Sequence, residues 1–111
     1  MANAPVFAVI WSNAAIGDLE GVLSYMELDS PVRAAVVWHE IKRRADTLSH
    51  FPLRGRLVPE LKAIGLDLYR ELIVYPYRLL FRIKGGTVLV LGVFDGRRDL
   101  EDILFERLMR A

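Results

Sequence analysis

Between residues 75 and 86 the chain reads YPYRLLFRIKGG, with apolar and basic positions taking turns along it. Side chains of a strand point to opposite faces with period two. Leu79, Phe81 and Ile83 therefore share one face, and Arg78, Leu80, Arg82 and Lys84 share the other. Gly85-Gly86 is a two-residue hairpin signal. The TVLVLGVF that follows is apolar on both faces, as a central strand would be. Three strands are predicted, over about 67–75, 77–84 and 87–94, with Pro76 breaking the first pair.

The first half of the chain has helical spacing instead. After a short apolar run, PVFAVIW at residues 5–11, Ser12 and Asn13 offer N-caps. Ile16, Leu19, Val22, Leu23 and Met26 then recur at the spacing of one helix face. Gly17 and Gly21 lower helix propensity there, and would let another element approach closely. Ser30 followed by Pro31 marks the start of a second helix, running to about Ser49. Its predicted inner stripe is Ala34, Val37, Trp38, Ile41, Ala45 and Leu48, with Trp38 expected in the core. The short link between the two stripes predicts an antiparallel helical hairpin. FPLRGRLVPEL, residues 51–61, is expected to be a loop set by Pro52, Gly55 and Pro59. Asp99 can cap a closing helix with Leu100, Ile103, Leu104 and Leu108 inward, leaving Phe105 and Met109 off the stripe.

The predicted order is β-α-α-β-β-β-α over one domain, residues 1–111. This is an α+β layout: a small, mostly antiparallel sheet with a helical hairpin packed on one face. The other sheet face carries Arg78, Arg82 and Lys84, as a solvated face or as a basic floor for an acidic partner.

Charge changes this picture. The net charge is only +1, yet residues 1–32 carry four acids and no Lys or Arg. Residues 33–98 carry thirteen basic residues against six acids, and residues 99–111 two against four. Twelve of the fifteen basic residues are Arg, which grips phosphate or carboxylate with two parallel hydrogen bonds. The 53% hydrophobic content is high for a small chain and predicts apolar surface kept for a partner. There is no cysteine, which excludes disulfides, thiolate metal sites and cysteine nucleophiles. No secretory signal or membrane span is read, so a cytoplasmic location is expected.

Taken in order, VIWSNAAIGDLEGVLSYMELDSPVRAA, FPLRGRLVPEL, YRELIVYPYRLLFRI and VLVLGVFDGRRDL resemble the RelE/ParE superfamily of bacterial toxins from type II toxin–antitoxin systems. The resemblance covers nearly the whole chain. It implies a toxin neutralised by a cognate antitoxin protein, with operator DNA met only through that antitoxin, and no metal or cofactor. RelE-like members cleave mRNA on the ribosome; ParE-like members inhibit DNA gyrase.

RNA cleavage by a 2′-hydroxyl needs proton acceptor and donor groups, and cations on the developing phosphorane charge. Arg54, Arg56, Arg70, Arg78 and Arg82 supply cations, and Arg54, Arg56, Arg78 and Arg82 are the candidate set for a nuclease. The resemblance also leads us to expect a Tyr or His near the C-terminus, but residues 94–111 have neither. His39 lies in the second helix and His50 at its end. Arginine stays protonated and is a poor base. This favours the ParE-like reading. Arg70, Arg78, Arg82, Arg97, Arg98, Phe105 and Met109 are the candidate residues for binding target or antitoxin. Arg97 and Arg98 have an alternative role in ion pairs with Asp95 and Asp99, and Arg70 in a pair with Glu71. The other readings are a ribosome-dependent endonuclease and a non-toxic co-repressor.

Overall fold

Residues 69–95 form the expected meander, and the rest of the chain closes around it. The computed structural model describes residues 6–109. Its elements are β1 (Ala8–Trp11), α1 (Asn13–Glu27), α2 (Pro31–Asp46), β2 (Arg56–Leu57), α3 (Pro59–Lys62), β3 (Tyr69–Val74), β4 (Tyr77–Lys84), β5 (Thr87–Asp95) and α4 (Leu100–Met109). The sheet order is β1-β5-β4-β3-β2. β1 runs parallel to β5, and the other neighbours are antiparallel. β5 is thus internal, as its two apolar faces require. The first strand is shorter than the predicted 5–11, and Pro5 lies outside the described residues.

Local chemistry sets the boundaries. Ser12 Oγ accepts from the Ala15 N–H and Ser30 Oγ from the Arg33 N–H, so each hydroxyl satisfies an orphan donor of its helix. Gly85, at φ 58°, makes the tight link between β4 and β5, where Lys84 pairs with Thr87. Tyr75 and the cis Pro76 link β3 to β4. β5 carries a bulge: Leu80 pairs with Gly92 and Phe81 with Val90, leaving Leu91 without an opposite number.

Two apolar clusters hold the layers. α1 and α2 cover one sheet face, where Leu19, Ile41, Leu48, Leu79, Phe81 and Val90 are buried together. The opposite face is also covered. Val58, Leu61, Leu80, Phe94, Leu100 and Ile103 form a second cluster that seats α3 and α4. The expected basic floor is therefore an apolar one over much of its area. The segment 51–61, expected to be a loop, supplies both β2 and α3.

Other details differ from the helical stripes. Trp38 is 40% exposed, beside a cleft of about 230 Å³ lined by Leu23 and Glu27 of α1. At 100° per residue it sits to one side of Ala34, Ile41 and Ala45, which fill the inner face. Ile16 is also exposed, with Ala15 buried in its place. No element comes within van der Waals reach of Gly17 or Gly21. The Leu108 side chain lies outside the described residues.

Candidate functional site

The centre of the second sheet face is a four-residue ion cluster. Arg78 on β4 and Glu71 on β3 point to this face by strand parity, and Glu60 comes from the first turn of α3. Arg78 Nε donates to Glu71 Oε1 at 2.6 Å, and its Nη1 to Glu60 Oε2 at 2.6 Å. Its Nη2 reaches both carboxylates, at 2.8 Å to Glu60 and 3.1 Å to Glu71. Arg56 Nε adds a bond to Glu71 Oε2 at 2.9 Å. The Glu71 side chain is wholly buried. Hydrogen bonds from Arg78 hold the Glu60 carboxyl down at about 2, against the opposing cost of desolvation. The same pairing pushes Arg78 above its usual range.

Two guanidiniums thus face two carboxylates, and the cluster is neutral. Arg78, expected as a free cation, is buried and saturated. Arg56 is tied to the same acid. The Arg70–Glu71 pair does not form: Arg70 Nη1 donates to the Gly55 carbonyl at 2.8 Å, and Glu71 belongs to Arg78 and Arg56. Glu60 and Glu71 were the residues that sequence reasoning missed as site members. Parity places Glu71 and Arg78 on one face, but nothing local brings Glu60 to them.

Arg82 differs. It lies across the strands from Tyr69 and Leu89, its Nε is buried without a hydrogen-bond partner, and it forms no ion pair among the described residues. Arg54 is exposed, with its guanidinium 5.5 Å from the Phe51 ring centre. That ring also neighbours His50, and the three residues border a shallow apolar cavity of about 580 Å³. His39 is on the outer side of α2, edge-on to Trp38.

The turn after β5 is internally paired. Arg97 binds Asp95 through Nε at 2.9 Å and Nη2 at 2.7 Å. Those bonds, with the Arg97 N–H, lower the Asp95 carboxyl to about 2. Arg98 reaches Glu106 at 3.3 Å rather than Asp99, whose carboxylate accepts from the Glu101 N–H at the start of α4. The ion-pair alternative therefore describes Arg97, and a different acid takes Arg98. Phe105 and Met109 project from α4 with exposures of 64% and 71%.

Between α3 and α4 the face opens into an apolar cavity of about 520 Å³, floored by Tyr69, Leu80, Leu91 and Phe94 and walled by Leu66 and Leu104. Its end is marked by Arg107, whose Nη2 lies 2.7 Å from both Asp18 oxygens. Among the described residues no group of three His, Cys, Asp or Glu is arranged to hold a metal ion. No described helix is long and apolar enough to cross a membrane.

This architecture has known counterparts. A toxin named RelE2 from Caulobacter vibrioides is 30% identical over 91 residues, 81% of this chain and 96% of that protein. Among solved structures, the chromosomal ParDE system of P. aeruginosa superposes with TM-score 0.65 at 22% identity, covering 81% of this chain and 96% of the other. The RelBE2 toxin–antitoxin complex of Mycobacterium tuberculosis gives 0.57 at 24% identity, covering 86% and 97%. At those identities the structures show a shared fold. The profile of the ParE toxin of type II toxin–antitoxin systems, parDE, matches residues 9–100, and this chain belongs to that family.

Proposed function

We propose that this chain acts as the toxin of a type II toxin–antitoxin module, is neutralised by a cognate antitoxin, and inhibits DNA gyrase. The observation that carries the gyrase reading is the neutral cluster of Arg78, Arg56, Glu71 and Glu60. A ribonuclease must present uncompensated cations to a phosphate whose charge grows in the transition state. Here a phosphate approaching Arg78 would meet two carboxylates already in place, and displacing them would leave a buried Glu71 charge unpaired. The cluster instead fixes β2 and α3 to the sheet. In this reading the target is gripped by protein–protein contacts, with Phe105 and Met109 on α4 as its exposed apolar anchors. The apolar cavity between α3 and α4 suits a segment of the antitoxin.

One observation favours ribosome-dependent mRNA cleavage as a second reading. Arg82 has no carboxylate partner among the described residues, and Tyr69 sits opposite it on β3. A free cation beside a phenol is a minimal pair for phosphate binding and proton transfer. A supercoiling assay with refolded, antitoxin-free protein, scored also for cleaved DNA, separates the two. Gyrase inhibition that survives Arg82→Ala supports the first reading. An inert protein in that assay that cuts mRNA on translating ribosomes, and stops when Arg82 is replaced, supports the second.

A further inference from the structure

Beyond α2 the chain holds two large apolar side chains out in water. Pro52 opens a single tight turn, Pro52–Arg54, and is itself buried. Its neighbours are left outside: Phe51 is 60% exposed and Leu53 69%. The turn is fixed from several sides. The Arg54 N–H donates to the Phe51 carbonyl at 3.0 Å, and Arg70 holds the Gly55 carbonyl. Gly55 lies so close to the sheet that a Cβ there would run into the Phe81 ring. Phe51 and Leu53 therefore cannot turn inward without breaking these contacts. With Phe7, Pro52 and Ile83 they line the cavity of about 580 Å³. An apolar surface already held in place loses little freedom when a partner covers it.

The charge around this cavity is one-sided. Its lining comes from three stretches of sequence, within residues 1–17, 47–59 and 72–94, and none of these contains an Asp or Glu. The acids that bound the middle stretch, Asp46 and Glu60, do not line the cavity, and Glu60 is committed to Arg78. Elsewhere the chain pairs its exposed arginines: Arg43 with Glu40, Arg97 with Asp95, Arg98 with Glu106. Arg54 is in no ion pair among the described residues, and its guanidinium lies against the Phe51 ring on the cavity wall.

Apolar walls beside an unpaired guanidinium, with no carboxylate, are complementary to an apolar side chain flanked by acids. The cavity is too open for a small molecule, which a binding pocket buries over most of its surface. A nucleic-acid base would find mostly apolar walls, and Arg54 already covers part of the ring on which it could stack. Given an antitoxin that neutralises this chain, as proposed above, we infer that this cavity docks an acidic segment of that antitoxin. A large apolar side chain of the segment fills the space between Phe51, Leu53 and Ile83, and its flanking carboxylates meet Arg54. Phe7 and Ile83 pack on the sheet face that α1 and α2 cover, whereas the cavity between α3 and α4 lies on the other. An antitoxin that holds both passes round an edge of the sheet, and each contact raises the effective concentration of the other.

Titration calorimetry of the refolded full chain with its purified antitoxin tests this, with circular dichroism and thermal melting as folding controls. Leu53→Asp sets a like charge against the incoming acids and is expected to weaken binding on the order of 100-fold. Leu53→Lys loses the same apolar contact but keeps the sign of the wall, and is expected to cost on the order of tenfold. Arg54→Glu is also expected to cost on the order of tenfold, a difference that shrinks as salt rises from about 0.1 M to about 1 M. Equal losses in Leu53→Asp and Leu53→Lys would overturn the acidic character of the segment. Unchanged affinity in folded Leu53→Asp and Arg54→Glu would overturn the site and leave neutralisation standing. An antitoxin that does not bind the wild type would overturn neutralisation itself, and the site with it. A short single-stranded oligonucleotide bound by the wild type but not by Arg54→Glu, with antitoxin affinity unchanged, would give the cavity to a nucleic acid instead.

Discussion

Arg107 Nη2 sits 2.7 Å from each carboxylate oxygen of Asp18, joining α4 to α1 across the bulge in β5. The same carboxylate accepts from the Val93 N–H at 3.1 Å, on the stretch of β5 that runs on past its pairing with β1. Arg107 also reaches the Leu91 carbonyl at 3.4 Å and lies 5.2 Å over the Phe94 ring. One acid therefore serves two jobs, and they can be separated. Asp18→Asn keeps an acceptor for Val93 but loses the charge, and is expected to cost about 1 kcal/mol. Asp18→Ala loses both and is expected to cost about 2 kcal/mol. Urea denaturation measures the difference, and equal losses would mean that the Val93 contact contributes nothing.

Glu71→Ala should be the most damaging of the polar substitutions. It empties a buried acceptor site and leaves Arg78 with Glu60 alone, at an expected cost of about 3–5 kcal/mol. Replacing Glu71 and Arg78 together by Met removes both charges and keeps the volume. The double variant is expected to be more stable than Glu71→Ala, with coupling of at least about 2 kcal/mol in a double-mutant cycle. Strict additivity would contradict the cluster's geometry.

The cluster also sets an acid limit. Glu60 titrates near 2 in the folded chain, against 4.5 for the free side chain. Its folded value is depressed, so its contribution is complete above the unfolded value and is lost as pH falls from about 4.5 through about 2. Asp95, also near 2, behaves in the same direction. Stability measured across that window should fall with pH, and less steeply in Glu60→Gln. An identical slope in that variant would show that other carboxyls dominate.

Removing α4 outright would not isolate a target surface, because Leu100 and Ile103 are buried in the second cluster. Phe105→Ser with Met109→Ser changes only outward side chains. This pair is expected to leave the melting temperature within a few degrees and to reduce gyrase inhibition by at least about tenfold. Full inhibition by the folded double variant would move the target contact off this helix.

What could be read from the sequence was whatever depended on near neighbours. Ser12 and Ser30 cap groups three residues on, Asp99 caps the start of α4, and Gly85-Gly86 turns the chain between adjacent strands. The same local periodicities carried the order of elements, apart from β2 and α3. What stayed hidden depends on packing between distant segments. Glu60 reaches Arg78 only after α3 packs its Leu61 into the cluster around Leu80, and α3 was itself read as loop. Asp18 and Arg107 are 89 positions apart. Arg98 would pair with Asp99 by proximity, but it reaches Glu106, 8 positions on, once α4 has formed. The alternation that opened the question correctly put Arg78 on the face away from Phe81. It could not tell that Glu71, on the same face of the next strand, would neutralise it.

The parallel pairing of β1 with β5 has a temporal side. Ala8 pairs with Thr87 and Trp11 with Val90. On the ribosome, the first strand to be made has no partner until roughly 80 further residues have been added, a wait of about 4–16 s at ordinary elongation rates. The α1–α2 hairpin has its own neighbour well before then, whereas the β3–β4 hairpin is finished only just before β5 begins. For that interval the nascent chain carries an unclosed sheet, and β1 finds its place only when β5 has been made.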